Sequence, residues 1–423
     1  MIKIRANYKL ANGLPVVIAD LGSTEAVSAL VLIQTGSRLE KPTEAGLSHF
    51  LEHMVFKGTV TWPTAASLTH FLDSLGADYN AFTSKEVTGF YIKAAQEHLP
   101  KVLQLLAEMV WQPRLDADEM AREKEVIVQE INMYEDNPLM YVEDLVEGAM
   151  WPGHNLGKMI SGTRQSVRAL TARQVNNYLQ KFYHPQNMLL VVSGKTNNDT
   201  KKLVEKYFAP VRQRGVIAHF DKVLPKKPKP TAVVKFKQTE QIQLALSLPS
   251  LPLRHRDTLA SELLAIILGG NMSSRLFHRL REQEGLCYFI KASLSPYENA
   301  GVFTVQAGLD KSRLQRAVKL IREELERVPQ ELVAPAELNK AKQYLRGKLL
   351  LAWEDSASVG EWLAKQAMQE HKLELPADLF RRLNKITARD LRRVAVALIK
   401  PQCYTLAMIG PFRDAKPYLA WLK

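Results

Sequence analysis

His49, Glu52 and His53 fall within five positions of the stretch Gly46-Leu47-Ser48-His49-Phe50-Leu51-Glu52-His53-Met54-Val55-Phe56-Lys57-Gly58-Thr59. In a helix the two histidines, four apart, project from one face with Glu52 beside them. Two imidazoles so spaced suit one divalent ion, and zinc favours nitrogen ligands of this kind. The neighbouring carboxylate would then be free to work on a water instead of binding the ion. On the pentapeptide alone, metal chemistry competes with coincidence in a chain that holds ten histidines. A catalytic zinc needs a third protein ligand and one open position. A helix predicted over Asp116 to Asp136 offers Glu119, Glu123, Glu125, Glu130 and Glu135. Glu123 and Glu130, seven apart, share a face of it, although an acid-decorated surface helix would read the same way.

The elements that must position these groups alternate between strands and helices. Leu14 to Ala19 and Ala26 to Ile33 read as strands joined by a turn over Asp20 to Glu25. A helix is predicted from about Ser67 to Leu75, ended by Gly76, then strands at Tyr79 to Thr83 and Thr88 to Ala95. Leu99, Val102, Leu103, Leu106 and Val110 mark the apolar face of the next helix. The chain then repeats itself. Leu170-Thr171-Ala172-Arg173 returns as Ile386-Thr387-Ala388-Arg389, Pro185-Gln186 as Pro401-Gln402, and Gly194 as Gly410, all at a shift of 216. Gly89 to Val110 is echoed by Gly301 to Leu325. The fold class implied is α+β: two homologous domains, each a mainly antiparallel sheet with helices packed on one side. Their expected spans are 1–212 and 231–423, joined by a basic, proline-rich linker over 213–230. Where the first copy has His49 to His53, the second has Leu263 to Gly269, which carries no ligand. The metal chemistry therefore belongs to the first domain.

Composition bounds the setting. At 423 residues and 46% hydrophobic, the chain can bury a large core. No apolar run is long enough to span a bilayer, and Met1 to Leu10 lacks a signal-peptide pattern. Two cysteines, Cys287 and Cys403, argue against a disulfide framework. A cytoplasmic protein is the expectation. The net charge of +13 could indicate an acidic partner, but aromatic residues are not interleaved with the basic ones. Lys226-Lys227-Pro228-Lys229-Pro230 reads as a stiff linker. Neither nucleic acid nor membrane is expected as a partner.

The inverted order His49-x-x-Glu52-His53 is the signature of the inverzincins. The chain resembles that metallopeptidase family, which includes pitrilysin, insulin-degrading enzyme and the mitochondrial processing peptidase, and is similar to its small two-domain bacterial-type members. In this family a glutamate about 76 residues beyond the second histidine completes the zinc site, and 76 residues separate His53 from Glu130. The resemblance implies one Zn2+ per chain, held by His49, His53 and Glu130. It implies Glu52 as general base on zinc-bound water and Glu123 as a support behind the ligands. Asn80-Ala81-Phe82 is similar to the edge strand that holds the peptide, and Arg281 and Tyr288 to a pair that contacts substrate from the second domain. The expected activity is endopeptidase action on peptides or unfolded segments in an enclosed cavity. The expected assembly is a homodimer, or a heterodimer with a related chain. The competing reading is a non-catalytic or partner-dependent subunit of a heterodimeric processing peptidase.

Overall fold

The computed structural model describes residues 2–211, 214–223 and 229–422. Its strands are β1 (Lys3–Lys9), β2 (Pro15–Asp20), β3 (Ala26–Ile33), β4 (Asp78–Thr83), β5 (Thr88–Ala95), β6 (Met188–Gly194), β7 (Thr231–Phe236), β8 (Gln241–Pro249), β9 (Cys287–Pro296), β10 (Gly301–Asp310) and β11 (Thr405–Gly410). They form a six-stranded sheet ordered β1-β2-β6-β3-β5-β4 and a five-stranded sheet ordered β7-β11-β8-β10-β9. The two orders superpose once β1 is removed, as the 216-residue repeat requires. In both, the late strand enters the middle, so that β6 runs parallel to β2 and antiparallel to β3. Likewise β11 runs parallel to β7 and antiparallel to β8. All other pairings are antiparallel. Thr171 and Thr387, the repeated threonines, each cap a helix through a capping box, with Gln174 and Asp390 as the reciprocal partners.

The first sheet is covered on both faces, and the prediction of helices on one side is corrected accordingly. β3 is buried at every position after Ala26, which an apolar run without alternation requires. One face, including Val27, Ala29, Val31 and Ile33, joins the core built by the helices α1 (Leu47–Val55), α2 (Ala65–Ser74) and α3 (Leu99–Trp111). The other receives the helix Ser356–Ala364, whose Ser356 carbonyl accepts from the Ser193 hydroxyl of β6 at 2.7 Å. That helix comes from the second half of the sequence. Conversely, α5 (Pro138–Met150), from the first half, packs Val142 and Val146 on Ala245, Ala407 and Ile409 of the second sheet.

The compact units are therefore not consecutive stretches of chain. One comprises 1–132, 159–220 and 349–376, and the other 133–158, 221–348 and 377–423. The linear division into 1–212 and 231–423 misses this exchange of helices, because the repeat marks the sheets and not the segments that cover them. The expected linker is also shorter at its start. The Val216 amide donates to Lys181 and that of Ala218 to the side chain of Asn187, while Phe220 lies under the Arg38 guanidinium. Lys226, Lys227 and Pro228 of the predicted stiff segment lie outside the described residues. Among the described residues no helix is long and apolar enough to cross a membrane.

Asp355 ties the returning helix in place, since its carboxylate accepts from the Ser358 amide at the helix start and pairs with Lys93 of β5. Losing a cap costs about 0.5–2 kcal/mol, and a half-exposed ion pair adds about 0–1 kcal/mol. Asp355→Ala should thus lower stability by about 1–2 kcal/mol, read as an earlier midpoint in urea.

Candidate metal centre

α1 exists because one of its faces is fully apolar. Leu47, Phe50, Leu51, Met54 and Val55 are all completely buried, and each such side chain contributes roughly 1.5–3 kcal/mol on burial. The opposite face carries His49, Glu52 and His53. The start of α1 is held from outside the helix. Gly46 adopts a left-handed conformation (φ +92°), and a Cβ there would meet the Ser161 carbonyl at 2.5 Å. Glu40 accepts from the amides of Gly46 and Ser48, both at 2.7 Å, satisfying donors the helix leaves free. The Ser48 hydroxyl bonds that of Tyr178 at 2.8 Å, and Tyr178 bonds Thr35 at 2.6 Å.

The third ligand candidate comes from the helix α4 (Ala117–Asp136), whose first turn is capped by Asp116 accepting from the Asp118 and Glu119 amides. Its buried Met120, Ile127 and Ile131 join the core, its buried Glu123 meets His53 and Lys57, and Glu130 lies one turn beyond Ile127. His49 Nε2 and His53 Nε2 are 3.3 Å apart, and each is 3.6 Å from Glu130 Oε2. Four-coordinate zinc with bonds near 2.0–2.2 Å separates its ligand atoms by roughly 3.3–3.6 Å. The trio therefore fits that ion in spacing as well as in chemistry. Two imidazoles and one carboxylate suit zinc or a neighbouring transition metal better than calcium or magnesium, which favour oxygen shells. Among the described residues this is the one cluster of three such side chains able to hold a metal. The helix Thr258–Gly269 is the counterpart in the second unit and carries only Glu262 among ligand types.

Burial and hydrogen bonding set the state of each group. Burial, and then the neighbouring His53, push the His49 imidazole down to about 4, so it is neutral at physiological pH, the form able to bind a metal. The His53 ring meets the Glu123 carboxylate through Nδ1 at 2.8 Å, which leaves Nε2 as a lone pair facing His49 and Glu130. Burial alone would raise the Glu123 carboxyl, but bonds from His53 and Lys57 outweigh it and hold it below the ordinary range. Glu52 moves the other way. Its burial raises the carboxyl, assisted by Glu130 and opposed by the Thr83 hydroxyl and His53, which makes it a better proton acceptor than a solvated glutamate. Burial likewise raises Glu130, with His53 opposing and Glu123 assisting.

Asn80, Ala81 and Phe82 lie on β4, the sheet-edge strand, and pair with Tyr91, Phe90 and Gly89 of β5 on one side only. The Phe82 ring lies over Gly89, where a Cβ would sit 2.3 Å from it and the ring would have to move. Arg281 and Tyr288 belong to the second unit. Arg281 sits on a π-helical turn (Phe277–Gln283), its guanidinium 4.9 Å from the Phe277 ring centre and 4.7 Å from that of Tyr288. Tyr288 is 76% exposed on β9, whereas Cys287 beside it is buried, as expected of a residue that packs.

Two contributors escaped sequence reasoning. Lys57 lay inside the motif, one turn beyond His53, and its spacing was the available signal. Glu40 lay in a loop, with nothing in its surroundings to mark it. Burial first, and Glu44 slightly, push the Glu40 carboxyl up to about 7 against its hydrogen bonds. The folded state therefore holds this proton from about pH 4.5 to 7 while the unfolded chain has lost it. The stability it contributes is complete below 4.5 and disappears as pH rises through 7, by up to about 1.4 kcal/mol per pH unit. His49 has the opposite sign between about 4 and 6.5, so the parent minus Glu40→Gln difference in thermal midpoint is the quantity to follow in metal-free protein. That difference should decline from pH 5 to 8.

Comparison with known proteins bears on the family and the fold. Residues 15–164 match the family described as Insulinase (Peptidase family M16), and residues 169–345 the one described as Peptidase M16 inactive domain. An uncharacterized zinc protease of Bacillus subtilis, YmxG, is 33% identical over 404 residues, spanning 96% of this chain and 98% of its own. An uncharacterized zinc protease of Rickettsia felis is 33% identical over 407 residues, spanning 95% and 97%. The fold matches that of a protease from Helicobacter pylori with a TM-score of 0.90 at 24% identity, covering 96% of this chain and 99% of that one. It also matches the peptidase M16 inactive domain from Pseudomonas fluorescens with a TM-score of 0.89 at 18% identity, covering 97% and 99%.

Proposed function

The chain belongs to peptidase family M16, and from that premise we propose that it is a zinc-dependent endopeptidase acting on peptides or unfolded segments that enter an enclosed cavity. The observation that carries this reading is the convergence of His49, His53 and Glu130 at 3.3–3.6 Å with Glu52 on the same helix face. The "inactive" description of residues 169–345 accords with the finding that, among the described residues, the one three-residue ligand set lies outside that stretch.

In this reading His49, His53 and Glu130 hold one Zn2+ per chain, and Glu123 keeps His53 in the tautomer that binds. The ion would polarise the scissile carbonyl and lower the pKa of water towards roughly 7. Glu52 takes the proton of the attacking water as its oxygen bonds to the carbonyl carbon. It then returns that proton to the amine as the C–N bond breaks, so that one water is consumed per peptide bond. A peptide adds to β4 at Asn80 to Phe82 through main-chain hydrogen bonds, which demand little of its sequence. Arg281 and Tyr288 are the further residues proposed to orient the peptide or stabilise the developing oxyanion. We place the working form as a homodimer, with a related chain as the other candidate partner.

The test is a mixed quenched-peptide library with zinc-loaded, chelated and reloaded protein. Cleavage should vanish on chelation and return with zinc. Cleavage that survives full removal of metal would overturn the reading. Bound zinc without cleavage would favour the partner-dependent or non-catalytic subunit.

A further inference from the structure

We propose that Lys57 is a positioning residue of this centre: it fixes the Glu123 carboxylate, which in turn fixes His53. The inference rests on the metal-centre reading above. Glu123 uses both of its oxygens. Oε1 meets His53 Nδ1 at 2.8 Å, and Oε2 meets Lys57 Nζ at 2.5 Å. A carboxylate held at one oxygen can still turn about its side chain, whereas one held at both is fixed in plane and direction. The imidazole then has a single favourable orientation, with its Nε2 lone pair towards His49 and Glu130.

Surface lysine pairs commonly contribute little, because the long side chain must be ordered. Lys57 differs in two respects. Its partner is a carboxylate only 6% exposed, and its own side chain is only 23% exposed. Its backbone is also pinned by a built turn. The Lys57 amide closes α1 by donating to Met54, and the Gly58 carbonyl accepts from Arg114 at 2.8 Å. Gly58 has φ +137°, and a Cβ there would meet the Pro63 carbonyl at 2.7 Å. Thr59 then donates its amide to Trp62 and its hydroxyl to Glu108. The ammonium is therefore delivered to Glu123 by the same turn that ends the histidine helix.

The experiment measures zinc affinity by competition with a chromophoric chelator, together with 15N shifts of the His53 ring in metal-free protein. Lys57→Met keeps the stem and removes the donor. It should weaken zinc binding by about 10-fold, the lower end for outer partners of a metal ligand. The His53 signal should move from a single Nδ1–H tautomer towards a mixture. Lys57→Arg, which keeps a donor, should stay within about 3-fold of the parent. In a Glu123→Ala background Lys57→Met should add nothing, because its route to His53 is gone. Unchanged affinity in Lys57→Met, or losses that add in the double variant, would overturn the proposal. Parent protein that binds no zinc at all would withdraw the metal-centre reading and this inference with it, an outcome distinct from a failure of Lys57 alone. Thermal unfolding of each metal-free variant separates a folding defect from a positioning one.

Discussion

Glu52→Gln is expected to retain zinc and to lose peptide cleavage by at least about 10²- to 10⁴-fold, the contribution of a positioned acid–base group. The substitution is nearly isosteric and removes only the capacity to accept a proton. Glu52 lies between the two histidines in sequence, but it is not among the three groups whose donor atoms converge. Zinc stoichiometry should therefore stay that of the parent. The carboxyl it replaces is raised by burial, so neutralising it removes an unfavourable buried charge, and the metal-free variant should be at least as stable. A variant that still cuts at the parental rate would remove Glu52 from the chemistry. One that loses zinc as well as cleavage would show that Glu52 supports the site and does not act on water. Stoichiometry and rate measured on the same sample separate the two results.

What the sequence disclosed and what it hid follow from range. The histidine pair was legible because helical spacing is local, and four residues place two side chains on one face whatever surrounds them. The second helix was legible as a helix, but choosing Glu130 from five acids required the family resemblance, since nothing local distinguishes it from Glu125. In the structure Glu125 pairs with Arg168 at the surface while Glu130 faces the histidines. The repeat gave both sheet orders their common plan because it lies in the strands and in the threonine caps. The exchange of α5 and the helix Ser356–Ala364 was not legible. Which sheet an amphipathic helix covers depends on a path through space, and the apolar faces of Val142 and Val146 or of Val359 and Leu363 look alike in sequence. The continuous burial along β3 was a clue that a second layer must cover it. Lys57 and Glu40 were missed for a further reason, because a charged residue acquires a role only from the partner that the fold brings to it.

Removing Glu130 should have opposite effects on the metal-free and metal-loaded protein. In the absence of metal its carboxyl is already raised by burial and by the charge of Glu123, so it is a burden on the fold. Glu130→Ala should leave metal-free protein as stable as the parent or slightly more so. With zinc the sign reverses. An ion bound by α1 and α4 together stabilises the folded state by about 2.7 kcal/mol at a concentration 100 times its dissociation constant. Losing one of three ligands should weaken binding by more than the roughly 10–100-fold typical of an outer partner such as Glu123. The upward shift of the thermal midpoint on adding zinc should thus disappear in Glu130→Ala and be only reduced in Glu123→Ala. A residue of purely structural value would instead lower both midpoints together. Equal zinc-induced shifts in parent and Glu130→Ala would place the ion elsewhere and dissolve the three-residue site. The predicted pattern is the trade expected of a functional site, where groups that strain the empty fold are retained because the bound ion needs them.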